Sequence, residues 1–464
     1  MRTLSKLFVL LLIVTMVAAC GATPESEPTQ APVAEPTEAP AAQPTAAPAA
    51  TDTPEAAAPE PTEPPAAGGL TCDEPVKVGL ITDKTGALAL YGEMIERSFL
   101  LGMEYAAGAP GTEDNVFMID GCEVQVLIRD DQSNPETTAT IARELIEVEQ
   151  VDILVGTVSS GATATLQEIA RENEIVLVVA PAAANEITGA NFNEYTFRVS
   201  RTNYHDAVNQ CQYMTQEYDT YVQIAPDYAF GWGGAQGFRD ACTYYGGEFV
   251  ADDIFAPADT TDFTPYMEQI YDSGAEAWIV TWAGSGFMAM MEAATELGVM
   301  DEMALGTAFI NNSLIPVFFG NAIGARAGIL YHYTAPDNPI NDWLVEQTID
   351  RYGVPPDLFD ADGMNAALAV VEALRRTGGD TSAEALIPAM EGMEFEGPKG
   401  TIYFRPEDHM AMQDMYILEL QNIDDPMFDY FELVETTRPE IPCLLPENLV
   451  DRCGDLPVGS LSGE

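Results

Sequence analysis

Ser159, Ser160 and Gly161, in the stretch GTVSSGATATLQEIA, are the residues best placed to handle a charged small molecule. They stand where an apolar strand pattern gives way to a helical one, and the free N–H groups and dipole of a helix start favour an anion such as a carboxylate. A serine there can equally act as an N-cap that satisfies only the helix end. The residues alone leave both readings open. Candidates for covalent chemistry are few. The three histidines, His205, His332 and His409, fall in no G-x-S-x-G or H-E-x-x-H context, and AGSG at 283–286 reads as a helix start. An enzyme is therefore not expected, and no cofactor is implied. No D-x-D-x-D-G loop is present, so no metal site is expected either.

Cys20 offers another kind of reactivity. Arg2 and Lys6 precede an apolar run from Leu7 to Val17, long enough for a secretory leader and too short to span a membrane. Val17, Ala18, Ala19 and Cys20 resemble the bacterial lipobox, so residues 1–19 are expected to be removed and Cys20 to carry the lipid. Two or three acyl chains, at about 0.8 kcal/mol per buried CH₂, would anchor the chain stably where one would not. From Cys20 to about residue 71 the sequence is mostly Pro, Ala, Thr and Glu, which cannot repay the entropy of folding. It reads as a tether with a maximal reach of roughly 150 Å at ~3.1 Å per residue. The expected location is extracytoplasmic, held at the membrane through lipid.

The formal net charge of -55 argues against nucleic acid or an anionic membrane surface as a partner. Six cysteines remain beside Cys20, an even number in an exported chain. Cys72 and Cys122 each precede an apolar strand, VKVGLI and EVQVLI, so parallel neighbouring strands would set their sulfurs side by side. Cys211 and Cys242 fall on consecutive expected helices, and Cys443 and Cys453 close a short loop. That pairing is chosen among the 15 that six cysteines allow.

The elements that must carry these residues alternate. VKVGLIT, EVQVLIRDD, VDILVGTVSS and IVLVVAPAAA are short strands separated by helical patterns, and a second such series runs from TYVQIAPD to MALGTAF. Its helices are expected at 233–244, 264–273 and 287–297, with EFVADDIF as one strand. The class is α/β: two Rossmann-like lobes of parallel sheet flanked by helices, with a cleft at the carboxyl ends of the strands.

GLITDKTGALALYG (79–92), DDQSNPETTATIARELI (130–146), ILVGTVSSGATATLQEIA (153–170), VVAPAAANEIT (178–188), TFRVSRTN (196–203), YAFGWGGAQGF (228–238) and FEGPKGTIYF (395–404) appear in an order that resembles the type I solute-binding proteins of ABC transporters, in particular the leucine, isoleucine and valine binders. The resemblance implies three crossings between lobes, near 198–203, 331–336 and 394. Lobe one would be 72–200 with 334–394, and lobe two 201–333 with 395–464. It implies a monomer that closes over a small ligand and presents it to a permease and its ATPase.

By the same resemblance Ser160 is the carboxylate-binding serine, with Ser159 and Gly161 beside it. Ala182, Ala183 and Ala184 hold the ligand through backbone, but Ala184 lacks the hydroxyl usual there. Tyr91 lines the cleft from lobe one; Phe230, Trp282 and Phe309 line it from lobe two, with sheet packing the competing reading for Trp282. Ala308 and Phe309 stand where amino-acid binders place an acid for the ammonium group. A buried ammonium without a carboxylate costs several kcal/mol, so a standard α-amino acid needs a substitute such as Asp227, Asp360 or Asp362. The alanine-rich and aromatic lining suits a small carboxylate or amide with an apolar or planar part. A lipoprotein of the same fold that reports to a receptor or sensor kinase is the rival function.

Overall fold

Strand followed by helix, repeated, builds two mainly parallel sheets. The computed structural model describes residues 70–463 except 73, 285 and 308. The leader at 1–19, Cys20 with the tether up to residue 69, and Ala308 lie outside the described residues. Among the described residues, no helix is long and apolar enough to cross a membrane.

The first sheet contains β1 (Val76–Thr82), β2 (Val116–Ile119), β3 (Cys122–Asp130), β4 (Ile153–Val155), β5 (Val176–Val179) and β6 (Thr196–Arg198), in the order β2-β3-β1-β4-β5-β6. Only β2 runs antiparallel, paired with β3 through Asp120 and Gly121, both at positive φ. Helices α1 (Ala89–Ala107), α2 (Pro135–Glu144) and α3 (Ser160–Glu172) connect the strands. Alternation along the pleat sends Val78, Leu80, Val124 and Val176 into a core with Phe99 of α1, and Ile81, Leu154 and Leu177 into another with Leu166 and Ile169 of α3.

After α4 (Asn203–Met214), the second sheet follows: β7 (Thr220–Pro226), β8 (Glu248–Phe249), β9 (Ile254–Ala256), β10 (Ala277–Val280) and β11 (Ala304–Thr307), in the order β11-β10-β7-β8 with β9 also on β7. EFVADDIF is thus two strands rather than one, because polar Asp252 and Asp253 interrupt the apolar run. The helices are α5 (Ala229–Tyr244), α6 (Thr264–Asp272), α7 (Gly286–Glu296), α8 (Val299–Glu302) and α9 (Ile315–Phe318). α5 starts four residues before the expected Gly233, with Tyr228 as its extended N-cap residue.

The remaining elements are β12 (Arg326–Ile329), α10 (Pro339–Tyr352), α11 (Asp360–Thr377), α12 (Ala383–Met390), β13 (Glu394–Gly397), β14 (Gly400–Phe404), β15 (Ala411–Met412), β16 (Met415–Leu420) and β17 (Phe431–Thr437). They form small antiparallel sheets, β12-β16-β17 and β13-β14-β15. α11 lies along α1 at close range: a Cβ at Gly102 would come within 2.7 Å of the Ala367 Cβ. The segment between β14 and β15 bonds to the first sheet. Arg198 of β6 pairs with Met410, and its N–H donates to the His409 carbonyl at 3.0 Å.

The bonds Cys72–Cys122, Cys211–Cys242 and Cys443–Cys453 are all formed, in the pairing the sequence suggests. Cys72 and Cys122 lead into β1 and β3, which are parallel neighbours in the register Val76 to Val124.

Candidate functional site

The carboxyl ends of strands from both sheets converge on one narrow cavity of about 30 Å³. Leu88 and Tyr91 come from the segment after β1, Val158 and Ser160 from after β4, Pro181 to Ala183 from after β5, and Arg201 from after β6. Tyr228 and Phe230 follow β7, Ala283 follows β10, Phe309 follows β11, and Phe359 precedes α11. Parallel strands must all deliver their following loops to the same edge, which is why residues so far apart in sequence meet.

Buried acids shape the first-sheet loops. Asp83 accepts from the N–H groups of Gly86 at 2.5 Å and Leu88 at 2.9 Å and from Ser133 Oγ at 2.7 Å, so it fixes the approach to α1. Close contact there requires glycine: a Cβ on Gly92 would sit 1.7 Å from the Asp83 carbonyl oxygen. Asp131 accepts from Thr157 Oγ1 at 2.6 Å and Thr138 Oγ1 at 2.9 Å, which ties the loop after β4 to the one after β3. Gly156, at φ 137, turns the chain where a Cβ would lie 2.2 Å from the Ile81 oxygen.

The two serines divide their work. Ser159 is the N-cap of α3, its side chain accepting from the Ala162 N–H at 3.5 Å. Ser160 is buried and accepts from the Ala184 N–H at 3.2 Å, which leaves its hydroxyl hydrogen to donate elsewhere. Ala182 and Ala183 line the cavity; the Ala183 carbonyl accepts from the Asn203 N–H at 2.9 Å and the Ala182 carbonyl from Ser200 Oγ at 3.4 Å. Gly161 lies at the helix start but not on the cavity wall.

The one charged side chain on the described wall is Arg201. Its Nη1 donates to the Pro181 carbonyl at 2.9 Å, and its Nε lies 3.3 Å from Asp206 Oδ2. The guanidinium carbon stands 5.3 Å from the Phe309 ring centre and 5.1 Å from that of Phe359, distances at which a cation is attracted by an aromatic face. Tyr91 contacts both rings edge-on, at 6.2 Å and 5.2 Å. Burial pushes its hydroxyl up to about 12, opposed by the Gly284 N–H, so it is neutral at ordinary pH. Arg201, Tyr228 and Phe359 thus join the wall with Tyr91, Phe230 and Phe309. The sequence signal for Arg201 was a basic residue inside TFRVSRTN, a segment otherwise fit for burial.

Trp282 is not on this wall. Strand period two puts it on the same face as Trp278 and Val280, packed with Met290, and its ring meets Phe263 at 5.0 Å. It touches an adjoining cavity of about 260 Å³ that Tyr91 and Phe309 separate from the first. None of the substitute acids lines the cavity with Ser160. Asp227 accepts from Trp232 Nε1 at 2.9 Å at the surface, and Asp360 is held by Arg97 at 2.6 Å and 2.5 Å. Asp362 is fully buried, and burial lifts it to about 6 against the pull of Lys399 and Arg201.

Residues 75–425 match the periplasmic binding protein family. A Leu/Ile/Val-binding protein homolog 6 of Brucella melitensis is 27% identical over 362 residues, which is 75% of this chain and 88% of that one. The crystal structure of an ABC-type branched-chain amino acid transporter from Rhodopseudomonas palustris is 33% identical, with a TM-score of 0.67, covering 80% of this chain and 100% of that chain. A solute-binding protein of an ABC transporter from R. palustris, solved in complex with benzoate, is 25% identical with a TM-score of 0.67, covering 79% and 97%. A match over most of the folded region, on a scaffold whose strand ends meet at one cavity, leaves one conclusion: the chain belongs to the periplasmic binding protein family, extracytoplasmic proteins that hold a solute for transport without transforming it.

Proposed function

We propose that this chain captures a small monocarboxylate with a planar or apolar body and no ammonium group, and delivers it to an ABC-type importer. One observation carries the reading: the described cavity wall contains a single cation, Arg201, no acid, and five aromatic rings. An α-amino acid would bring a positive group with no counter-charge, at a cost of several kcal/mol. A carboxylate instead finds the Ser160 hydroxyl, the start of α3 and the Arg201 guanidinium, and a ring finds Tyr91, Tyr228, Phe230, Phe309 and Phe359. The benzoate complex of the R. palustris relative supports this class. Because the space beside Arg201 holds little more than one water, the wall formed by Tyr91 and Phe309 must give way toward the adjoining cavity to admit a ring.

A thermal-shift screen tests the reading. Benzoate and 4-hydroxybenzoate are expected to raise Tm, with a ligand at a hundred times its Kd adding about 2.7 kcal/mol. Leucine, isoleucine and valine are expected to leave Tm unchanged, and stabilisation by these amino acids at lower concentration than by benzoate would overturn the assignment.

A further inference from the structure

Beside the narrow cavity lies a larger one, of about 260 Å³ against about 30 Å³, and Tyr91 and Phe309 stand on the walls of both. Segments from both sheets build it. Ala87 and Leu90 come from the approach to α1 and its first turn, Phe287 from α7, and Ile310 and Leu314 from the segment after β11. Among the described residues no charged side chain lines it. Asn311 and Ser313, also on its wall, spend their polar groups elsewhere: Asn311 Nδ2 donates to Asp357 Oδ2 at 2.5 Å, and Asn311 Oδ1 accepts from the N–H and the hydroxyl of Ser313. What remains is mainly hydrocarbon and ring surface.

The two spaces suit opposite ends of one molecule. The smaller has the Ser160 hydroxyl and the Arg201 guanidinium, and its volume suffices for a compact anionic group and not for a benzene ring. The larger, on the same measure, is ample for a ring. The Arg201 guanidinium carbon stands 5.3 Å from the Phe309 ring centre, and Tyr91 meets that ring edge-on at 6.2 Å. An apolar body lodged past these two rings is therefore separated from the Arg201 niche by their thickness. A carboxyl group bonded directly to a ring does not span that partition; one carried on a short carbon linker does, and a linker disturbs the Tyr91–Phe309 contact less than a ring would. We propose that the larger cavity is a second subsite of the cleft, which takes the uncharged aryl end of an arylalkanoate whose carboxylate sits at Ser160 and Arg201. This rests on the reading that the chain binds a monocarboxylate there.

Calorimetric titration of the protein with benzoate, phenylacetate and 3-phenylpropionate tests the subsite. Affinity is expected to rise along the series, by about tenfold from benzoate to 3-phenylpropionate, as two further methylenes leave water. Any apolar surface could give such a rise, and a cavity of about 610 Å³ at the edge of β11 offers one. Filling the subsite discriminates between them. Ala87 is exposed on its first-sheet wall, and Ala87→Trp is expected to bring the ratio of the two affinities back toward one. Leu314→Trp, on the second-sheet wall, is expected to do the same and serves where the first variant does not fold. An unchanged ratio in a variant that is folded by circular dichroism would place the gain elsewhere and overturn the subsite. Benzoate that binds the parent as tightly as 3-phenylpropionate overturns the subsite and leaves the monocarboxylate reading. Failure of all three acids to bind removes the monocarboxylate reading, and the subsite with it.

Discussion

Ser159 and Ser160 are adjacent and chemically identical, yet the turn assigns them to different partners. Ser159 completes the end of α3, and Ser160 turns inward to the Ala184 N–H. Replacing Ser159 by Ala is expected to cost about 1 kcal/mol in a denaturant melt and to change affinity little. Replacing Ser160 by Ala is expected to weaken benzoate binding by about 1–3 kcal/mol, measured calorimetrically, because a carboxylate loses a hydroxyl donor. Equal affinity in both variants would return Ser160 to a structural role. At this scale the sequence was informative where chemistry and local pattern coincide, as at a serine on a strand-to-helix turn. It was silent where a residue acts through a distant partner. Phe359 comes from a segment with no motif, and only the packing of α11 on α1 brings it to the cavity. Trp282 has a readable position: counting by two from Trp278 along AWIVTW puts it on the buried face, where it also borders the adjoining cavity.

At the scale of elements, the alternating series was legible because fully buried strands and amphipathic helices differ in period. β2 escaped that count, although MIDGCEV contains the Asp-Gly pair typical of a tight hairpin, because a four-residue edge strand is too short to show a pattern. The contact of the segment before β15 with β6 was also hidden, since it is made by an isolated bridge at Arg198, by His409 and by ring contacts of Phe197, none of which leaves a pattern in the sequence. Disulfides bind elements that sequence separates. Cys72–Cys122 closes 50 residues, for which loop entropy gives about 4 kcal/mol. Changing both cysteines to alanine is expected to lower stability by up to that amount in urea, with the largest loss of hydrogen-exchange protection in β1 and β3. Unchanged protection there would show that the sheet holds without the bond.

For the whole molecule, no helix among the described residues is long and apolar enough to cross a membrane. We propose that the lipobox-like VAAC and the long Pro-rich stretch after it hold the chain at a membrane, with Cys20 as the lipid-bearing residue. Cys20→Ser is expected to shift the protein from the membrane pellet to the soluble fraction after ultracentrifugation. Retention in the pellet would refute lipidation at that residue. The formal net charge of -55 disfavours direct adhesion of the chain to an anionic bilayer.

Arg201 forms part of the cavity wall and also part of the chain that passes from one sheet to the other. A solute's negative end would therefore be felt by the joint itself, drawing on a guanidinium otherwise engaged with Asp206 and Pro181. A neutral molecule of the same outline would fill the space yet leave that joint at rest. Selection would then be exercised twice, once at entry by shape and again at hand-over by posture.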